Sequence, residues 1–440
     1  MSTSAEPVAT LTAESLLGTL AAAKKRRDWE AIARHAAEVP EQLAGAWVQV
    51  ADEIGFALGQ LRRTDEAAAL FERVYVVAPS RRIASALAYV YYDALLGRRT
   101  RQAERGGQAA AAGRDREADR KAFARWMGEA LRLEPRSIKD LYRLGVFEAQ
   151  VESRHDKPAL RAFVAAIESY RALPADERQW RGDLRKPYVR SLYAGARSAL
   201  RLSDLDRARR LSFDCIREDE QTDHVAPVHK LYLAGKICAA LGRSADAERA
   251  YRKALAAKGP PERDYVHAAL AALALATGRA EDAERWIEAN VPPHRRKPVL
   301  WRLVGDVKVA RGRGREALLA YQNALRKDRA GRHLTLTAMG ALELAAGNAQ
   351  KAAEHFRQAN DFRRRKYLSE HLPALDGLAT ALWALGRDRD AADARAAAEG
   401  LREGRAGRGR PGPGGLASGR AVEPASADDA PAEDEAAEQG

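Results

Sequence analysis

An all-α array of helix hairpins is the fold the sequence predicts, and three observations predict it. Ala, Leu, Arg and Glu dominate the 440 residues, and all four are strong helix formers. Val, Ile and Thr are sparse, which disfavours a large sheet. A two-helix pattern also recurs: from Gly242 to Gly278, Gly312, Gly347 and Gly386 the steps are 36, 34, 35 and 39 residues. The hydrophobic fraction is 46%, much of it Ala, and aromatics are only 6%. A repeat array tolerates so thin a core because each hairpin buries an apolar layer against its neighbours.

Taken in order, residues 1–12 have no apolar periodicity and are expected to be disordered. The following stretch to Asp28 is weakly apolar and ends in the basic run Lys24–Arg27. A secretory signal has its basic residues first, so none is read here. Ile54, Gly55, Ala67, Phe71 and Pro79 mark a first helix pair. Residues 98–120 are polar with internal glycines and are expected to form an irregular insert. Residues 124–137 read as a second helix closing at Pro135, and Leu141, Leu144 and Gly145 open the next pair. Residues 151–187 hold Pro158, Pro174 and Pro187, are too long for one turn, and are expected to be a long break. Tyr193, Ala196, Ala208 and Cys215 mark another pair.

The pattern is clearest downstream. Residues 231–255, LYLAGKICAALGRSADAERAYRKAL, hold two amphipathic helices around a Gly-centred turn. Gly235 lets the helices approach, Gly242 ends the first of them, and Ala247, Tyr251 and Ala254 lie on one face of the second. Residues 301–325 repeat this with Trp301, Gly305, Gly312, Ala317, Tyr321 and Ala324. Residues 336–360 repeat it with Gly340, Gly347, Ala352, Phe356 and Ala359. From residue 401 the texture changes to Gly, Pro, Ser and charge, Arg-Gly rich first and acidic last, and residues 401–440 are expected to be disordered.

This spacing, with small residues at the contact and an aromatic filling the gap, resembles the tetratricopeptide repeat family. The resemblance covers most of residues 13–400 and implies an α-solenoid, a right-handed superhelix of about nine helix-turn-helix repeats. It also implies a concave face built from the first helix of each pair, on which a partner protein docks. One residue after the bulky opener of that helix come Tyr142, Tyr193, Tyr232 and Arg302. With Lys139, Arg190, Arg197, Arg201, His229 and Lys236 they are expected to line a basic, aromatic groove for an acidic or extended segment. The family's carboxylate clamp needs inward Asn residues. Here Asn290, Asn323, Asn348 and Asn360 fall in second helices or turns, so that clamp is not matched.

Charge opens a second reading. Residues 421–440 carry seven acidic and no basic side chains, so the net charge of +13 becomes +20 on residues 1–420. Such a body attracts nucleic acid, RNA more than DNA. Arg295, Arg296 and Lys297, and Arg363, Arg364, Arg365, Lys366 and Tyr367, are the candidate contacts. A third reading is a regulatory subunit of a complex whose enzyme is another chain. Catalytic signatures, phosphate loops and metal-ligand spacings are absent from the sequence, so no enzyme activity, cofactor or metal is expected. Cys215 and Cys238 alone cannot form a disulfide framework. No apolar run is long enough to span a membrane, and the cytoplasm is the expected location.

Overall fold

The computed structural model describes residues 12–104, 115–152 and 155–406, side chains excepted at 97–104 and 404–406. These residues form 21 α-helices and no strand, an all-α helical repeat architecture. They fall into two compact units, one ending at Val225 and the other beginning at Ala226.

The first unit stacks five hairpins. They are α1 (Ala13–Lys25) with α2 (Trp29–Ala33), α3 (Ala46–Gln60) with α4 (Thr64–Val77), and α5 (Arg81–Glu104) with α6 (Arg116–Leu133). Then follow α7 (Ile138–Gln150) with α8 (Asp156–Arg171), the short α9 (Ala175–Trp180), and α10 (Arg185–Arg201) with α11 (Leu205–Glu218). The second unit also stacks five. They are α12 (Pro227–Ala240) with α13 (Ser244–Ala256), α14 (Asp264–Ala276) with α15 (Ala280–Glu288), and α16 (Pro298–Ala310) with α17 (Gly314–Lys327). The last two are α18 (Arg332–Ala345) with α19 (Ala349–Tyr367), and α20 (Leu372–Ala384) with α21 (Asp388–Ala406).

Ten hairpins therefore stand where about nine were expected. The expected break at 151–187 is mostly helix, because Pro158 sits in the first turn of α8, where its missing N–H costs nothing. Of the expected insert at 98–120, residues 98–104 continue α5 and 116–120 begin α6. Residues 105–114 lie outside the described residues, as do 1–11 and the Arg-Gly and acidic segments after 406.

Six of the ten hairpins are locked by an aromatic ring or Leu seated on a glycine of the facing helix. A methyl group on Gly340 would stand 2.8 Å from Phe356 Cε1, and one on Gly145 2.5 Å from a ring carbon of Phe163. Gly235 faces Tyr251 and Gly305 faces Tyr321 in the same way. Tyr321 is wholly buried, and its hydroxyl donates to Asp306 Oδ1 at 2.6 Å. Phe356 packs against two hairpins, because Gly377 of α20 also meets the ring.

Eight first helices are followed by a residue with positive φ. In the second unit it is always Gly: 242, 278, 312, 347 and 386, with φ between 69° and 81°. In the first unit Arg27 (56°), Arg62 (60°) and Ser203 (60°) adopt the same conformation without being glycine. Two ionic clusters, each centred on a buried charge, tie helices together. Asp140, 0% exposed, accepts from Ser85, from Ser137 Oγ at 2.7 Å and from Arg81 Nη1 at 3.1 Å, joining α5 to α7. Lys308 on α16 reaches Glu284 and Glu288 of α15 and Glu316 of α17.

Candidate functional site

Residues expected to line the groove are divided between the two units. In the first, Lys139 pairs with Asp183 at 2.9 Å and Arg201 with Asp156 at 2.6 Å. Arg190 donates to the His224 carbonyl at 3.5 Å, and Arg197 lies over the Tyr193 ring at 5.8 Å. Tyr142 is half-buried against Phe163 at 6.2 Å. Ion pairs within the chain thus engage much of the charge on these first helices.

In the second unit Tyr232 stands edge-on to Tyr265 at 4.8 Å, and Lys236 covers the Tyr232 ring at 5.8 Å. His229 and Arg302 are only 8% exposed. Each lies on the side of its helix that the following hairpin covers. His229 stacks on Tyr265 of α14 at 6.2 Å, and Arg302 meets the turn into α18. Neither is an open groove contact.

The basic clusters also turn inward. Arg295 pairs with Asp264 at 2.6 Å, while Arg296 is buried, donates to the Val291 carbonyl at 2.9 Å and covers the Trp301 ring at 5.0 Å. Burial pushes the Arg296 guanidinium below its ordinary pKa. Lys297 is exposed. These two arginines staple the turn before α16. In the second cluster Arg364 and Arg365 are exposed, and Arg365 Nε donates to the Asp361 carbonyl at 3.3 Å. Lys366 lies over Phe362 at 5.6 Å and Tyr367 at 5.8 Å, and Arg363 over Tyr367 at 5.3 Å. The interleaved rings therefore face cations of their own helix.

The last two hairpins bring some of these residues together in a way the sequence did not announce. Helix α19 has 19 residues, against 13 and 14 for α13 and α17. Its last turn overhangs the turn between α17 and α18, to which Tyr367 Oη donates at the Ala330 carbonyl, 2.9 Å, and Lys366 at the Arg329 carbonyl. Beneath the overhang sit Arg302, Asp328 and His333, each less than 9% exposed. Arg363 Nη1 lies 3.0 Å from His333 Nε2. His333 stacks on Phe362 at 6.1 Å and meets His371, at the entry to α20, edge-on at 4.8 Å. Burial, then the Arg363 and Arg302 charges, hold the His333 pKa down at about 4, with Asp328 and the Ala330 carbonyl pulling weakly the other way.

One turn along α18 from His333 is Thr337, whose hydroxyl donates to the His333 carbonyl at 2.8 Å. Thr337 begins an open crevice of about 400 Å³ lined also by Ala341, Leu344, Ala345, Phe356, Pro373 and Gly377. An apolar slot between α18 and α20 thus lies on the helix face that carries the buried basic cluster at its start. Sequence reading reached Arg302 and Arg363 but placed them in different features. The missed partners had one local signal: Asp328 followed by Gly331, a capping turn in which Asp328 Oδ1 accepts from Ala330 N at 3.0 Å and Gly331 N at 2.6 Å.

Among the described residues no group of three or more His, Cys, Asp or Glu side chains is placed to hold a metal ion. Cys215 is buried and Cys238 half-buried, both as free thiols, and burial pushes the Cys238 thiol up.

No protein-family model and no curated protein matches the chain. Solved structures of helical repeat proteins resemble it. A tetratricopeptide repeat protein from Parabacteroides merdae ATCC 43184 is 15% identical with a TM-score of 0.47, covering 66% of this chain and 99% of that one. Pseudomonas aeruginosa pilF is 13% identical with a TM-score of 0.38, covering 56% of this chain and 92% of its own. A chain of the APC/C Cut9–Hcn1 hetero-tetramer is 13% identical with a TM-score of 0.38, covering 88% of this chain and 83% of its own. No functional assignment rests on similarity at this level.

Proposed function

We propose that the chain is a non-enzymatic protein-interaction scaffold that takes an extended or helical acidic segment of a partner protein on its first helices. The α18–α20 crevice is the observation that carries this reading. It is open, its walls are apolar, and one turn along α18 from Thr337 lies His333, which Arg363 of α19 meets at 3.0 Å. A segment with apolar side chains beside an acidic group matches both parts, the first by burial and the second by charge. Among the described residues no helix is long and apolar enough to cross a membrane. Free thiols suit a reducing compartment, and the cytoplasm is the location proposed.

Capture from the native host with nuclease present tests the reading. Ala345 is an exposed wall of the crevice, so Ala345→Glu adds a like charge to the acidic segment without disturbing the core. The wild-type chain should retain a defined protein set that Ala345→Glu loses. An unchanged set with the variant would remove the crevice from consideration. Recovery of nucleic acid instead, with proteins lost on nuclease treatment, would favour the basic surface as an RNA-binding face.

A further inference from the structure

The C-terminal ends of α17 and α19 meet in a patch whose charge the chain does not answer. Lys366 and Tyr367 donate to the carbonyls of Arg329 and Ala330, and so bring residues 326–330 and 363–368 together. Arg326, Lys327, Arg329, Arg364, Arg365 and Lys366 are all exposed there. Arg365 donates to the Asp361 carbonyl at 3.3 Å and Lys366 to the Arg329 carbonyl, both neutral acceptors. Among the described residues none of the six cations pairs with a carboxylate. Asp328, the acid between them in sequence, is buried and accepts from the turn.

The opposite edge of the same unit is built differently. The glycine turns join first helices to second ones, so they lie at the other end of the hairpins from the ends of α17 and α19. At those turns Arg243 pairs with Asp246 at 2.5 Å, Arg313 with Glu284 at 3.0 Å and Arg387 with Asp390. Basic composition alone would leave both edges alike. Leu368 adds a second feature to the patch. It is 93% exposed, more than any other large hydrophobic side chain among the described residues. It also caps α19 in left-handed backbone at φ 48°, a position that helices commonly give to Gly.

An anionic phospholipid surface answers both features. Phosphate headgroups neutralise the cations, and the headgroup–acyl boundary takes an apolar side chain out of water. A nucleic acid answers only the first. It would leave Leu368 in water, and the rings that could stack on bases are already covered. Phe362 lies under Lys366 at 5.6 Å, and Tyr367 under Arg363 at 5.3 Å and Lys366 at 5.8 Å. We infer that the joined ends of α17 and α19 form a docking surface for an anionic membrane, with the six cations on headgroups and Leu368 inserted between them. The surface is built from different residues than the α18–α20 crevice and does not rest on it. A scaffold held this way would present its partner at a membrane face.

Cosedimentation of the full chain with vesicles tests this, using phosphatidylcholine with about one third phosphatidylglycerol against phosphatidylcholine alone. The chain should partition onto the anionic vesicles at least about tenfold more strongly. Arg364→Ala with Arg365→Ala should weaken that binding by about tenfold or more. Arg243→Ala with Arg387→Ala removes the same net charge from ion-paired positions on the other edge and should bind as the wild type does. Leu368→Gly takes away the inserted side chain and relieves the left-handed backbone. It should lose about tenfold in vesicle binding while the thermal midpoint holds or rises, so a loss of folding cannot stand in for a loss of docking. Equal losses from the two arginine pairs would reduce the effect to net charge and overturn the surface. Binding indifferent to Leu368→Gly, or no preference for anionic vesicles, would overturn it as well. Retention of a single-stranded RNA oligonucleotide that the Arg364 and Arg365 pair variant loses, without vesicle binding, would assign the patch to nucleic acid instead. None of these results depends on Ala345→Glu, so the scaffold reading stands or falls separately.

Discussion

Replacing Gly340 by Ala tests the ring-on-glycine packing that six of the hairpins share. The new methyl would stand 2.8, 2.9 and 3.0 Å from three carbons of the Phe356 ring. Ordinary carbon contacts are about 3.5–4.0 Å, so the ring would have to retreat by roughly 0.7 Å. Its retreat is restricted, because Gly377 of α20 also packs against the ring carbons Cε1 and Cζ. Overpacking of this kind costs about 1–3 kcal/mol, and Ala in place of Gly inside a helix returns about 1 kcal/mol. The net expectation is a loss of about 1–2 kcal/mol centred on α18–α20. Hydrogen exchange resolved by segment is the suitable assay, because repeat arrays open locally. Gly128 in α6 has nothing within 4 Å of its added methyl, so Gly128→Ala should stabilise by up to about 1 kcal/mol. Phe356→Leu should recover part of the Gly340→Ala loss, as contacting pairs do. If Gly340→Ala protects α18–α20 as well as the wild type does, the seated-ring account is wrong.

Ser203→Gly and Arg62→Gly relieve left-handed backbone at φ 60° and should each stabilise by about 1 kcal/mol in thermal or chemical unfolding. Asp140→Ala removes the buried acceptor of Ser85, Ser137, Arg81 and Arg143 while Arg81 keeps Glu134 and should cost about 1–3 kcal/mol in the first unit, read as lost protection in α5 and α7. Acid should weaken the second unit through His333. Its pKa in the fold is lowered from the ordinary 6.5 to about 4, so the unfolded chain binds the extra proton and stability falls as pH drops from about 6.5 to 4. The loss should reach roughly 1–3 kcal/mol, and His333→Gln should flatten that limb. Burial lowers His267 and His355 as well, so the comparison with the variant isolates the contribution of His333.

The second unit was far more legible than the first, and the turn residues explain why. Gly242, Gly278, Gly312, Gly347 and Gly386 advertise the left-handed turn, so their spacing gave the repeat away. Arg27, Arg62 and Ser203 make the same turn without a glycine, and the pattern upstream dissolves into noise. Pro158 resembled a break because position within a first turn cannot be told from position within a loop until the cap is known. Arg302 was visible as one residue past Trp301. Its burial depends on Gly331 and Asp328, nearly one repeat later, and on the extra length of α19. Local periodicity reports which face a residue takes, not what the next hairpin lays over it.

Phe356 resting on Gly340 and on Gly377 has a mechanical consequence. One ring serves as the bearing for two successive hairpins, so neither can peel away without exposing the same aromatic face. Under tension from the C-terminal side, α20 and α21 would detach in one step that also loosens α19. The crevice shares that ring with its walls. A partner lodged there would pin the joint, and its release force would register the resistance of two hairpins rather than one.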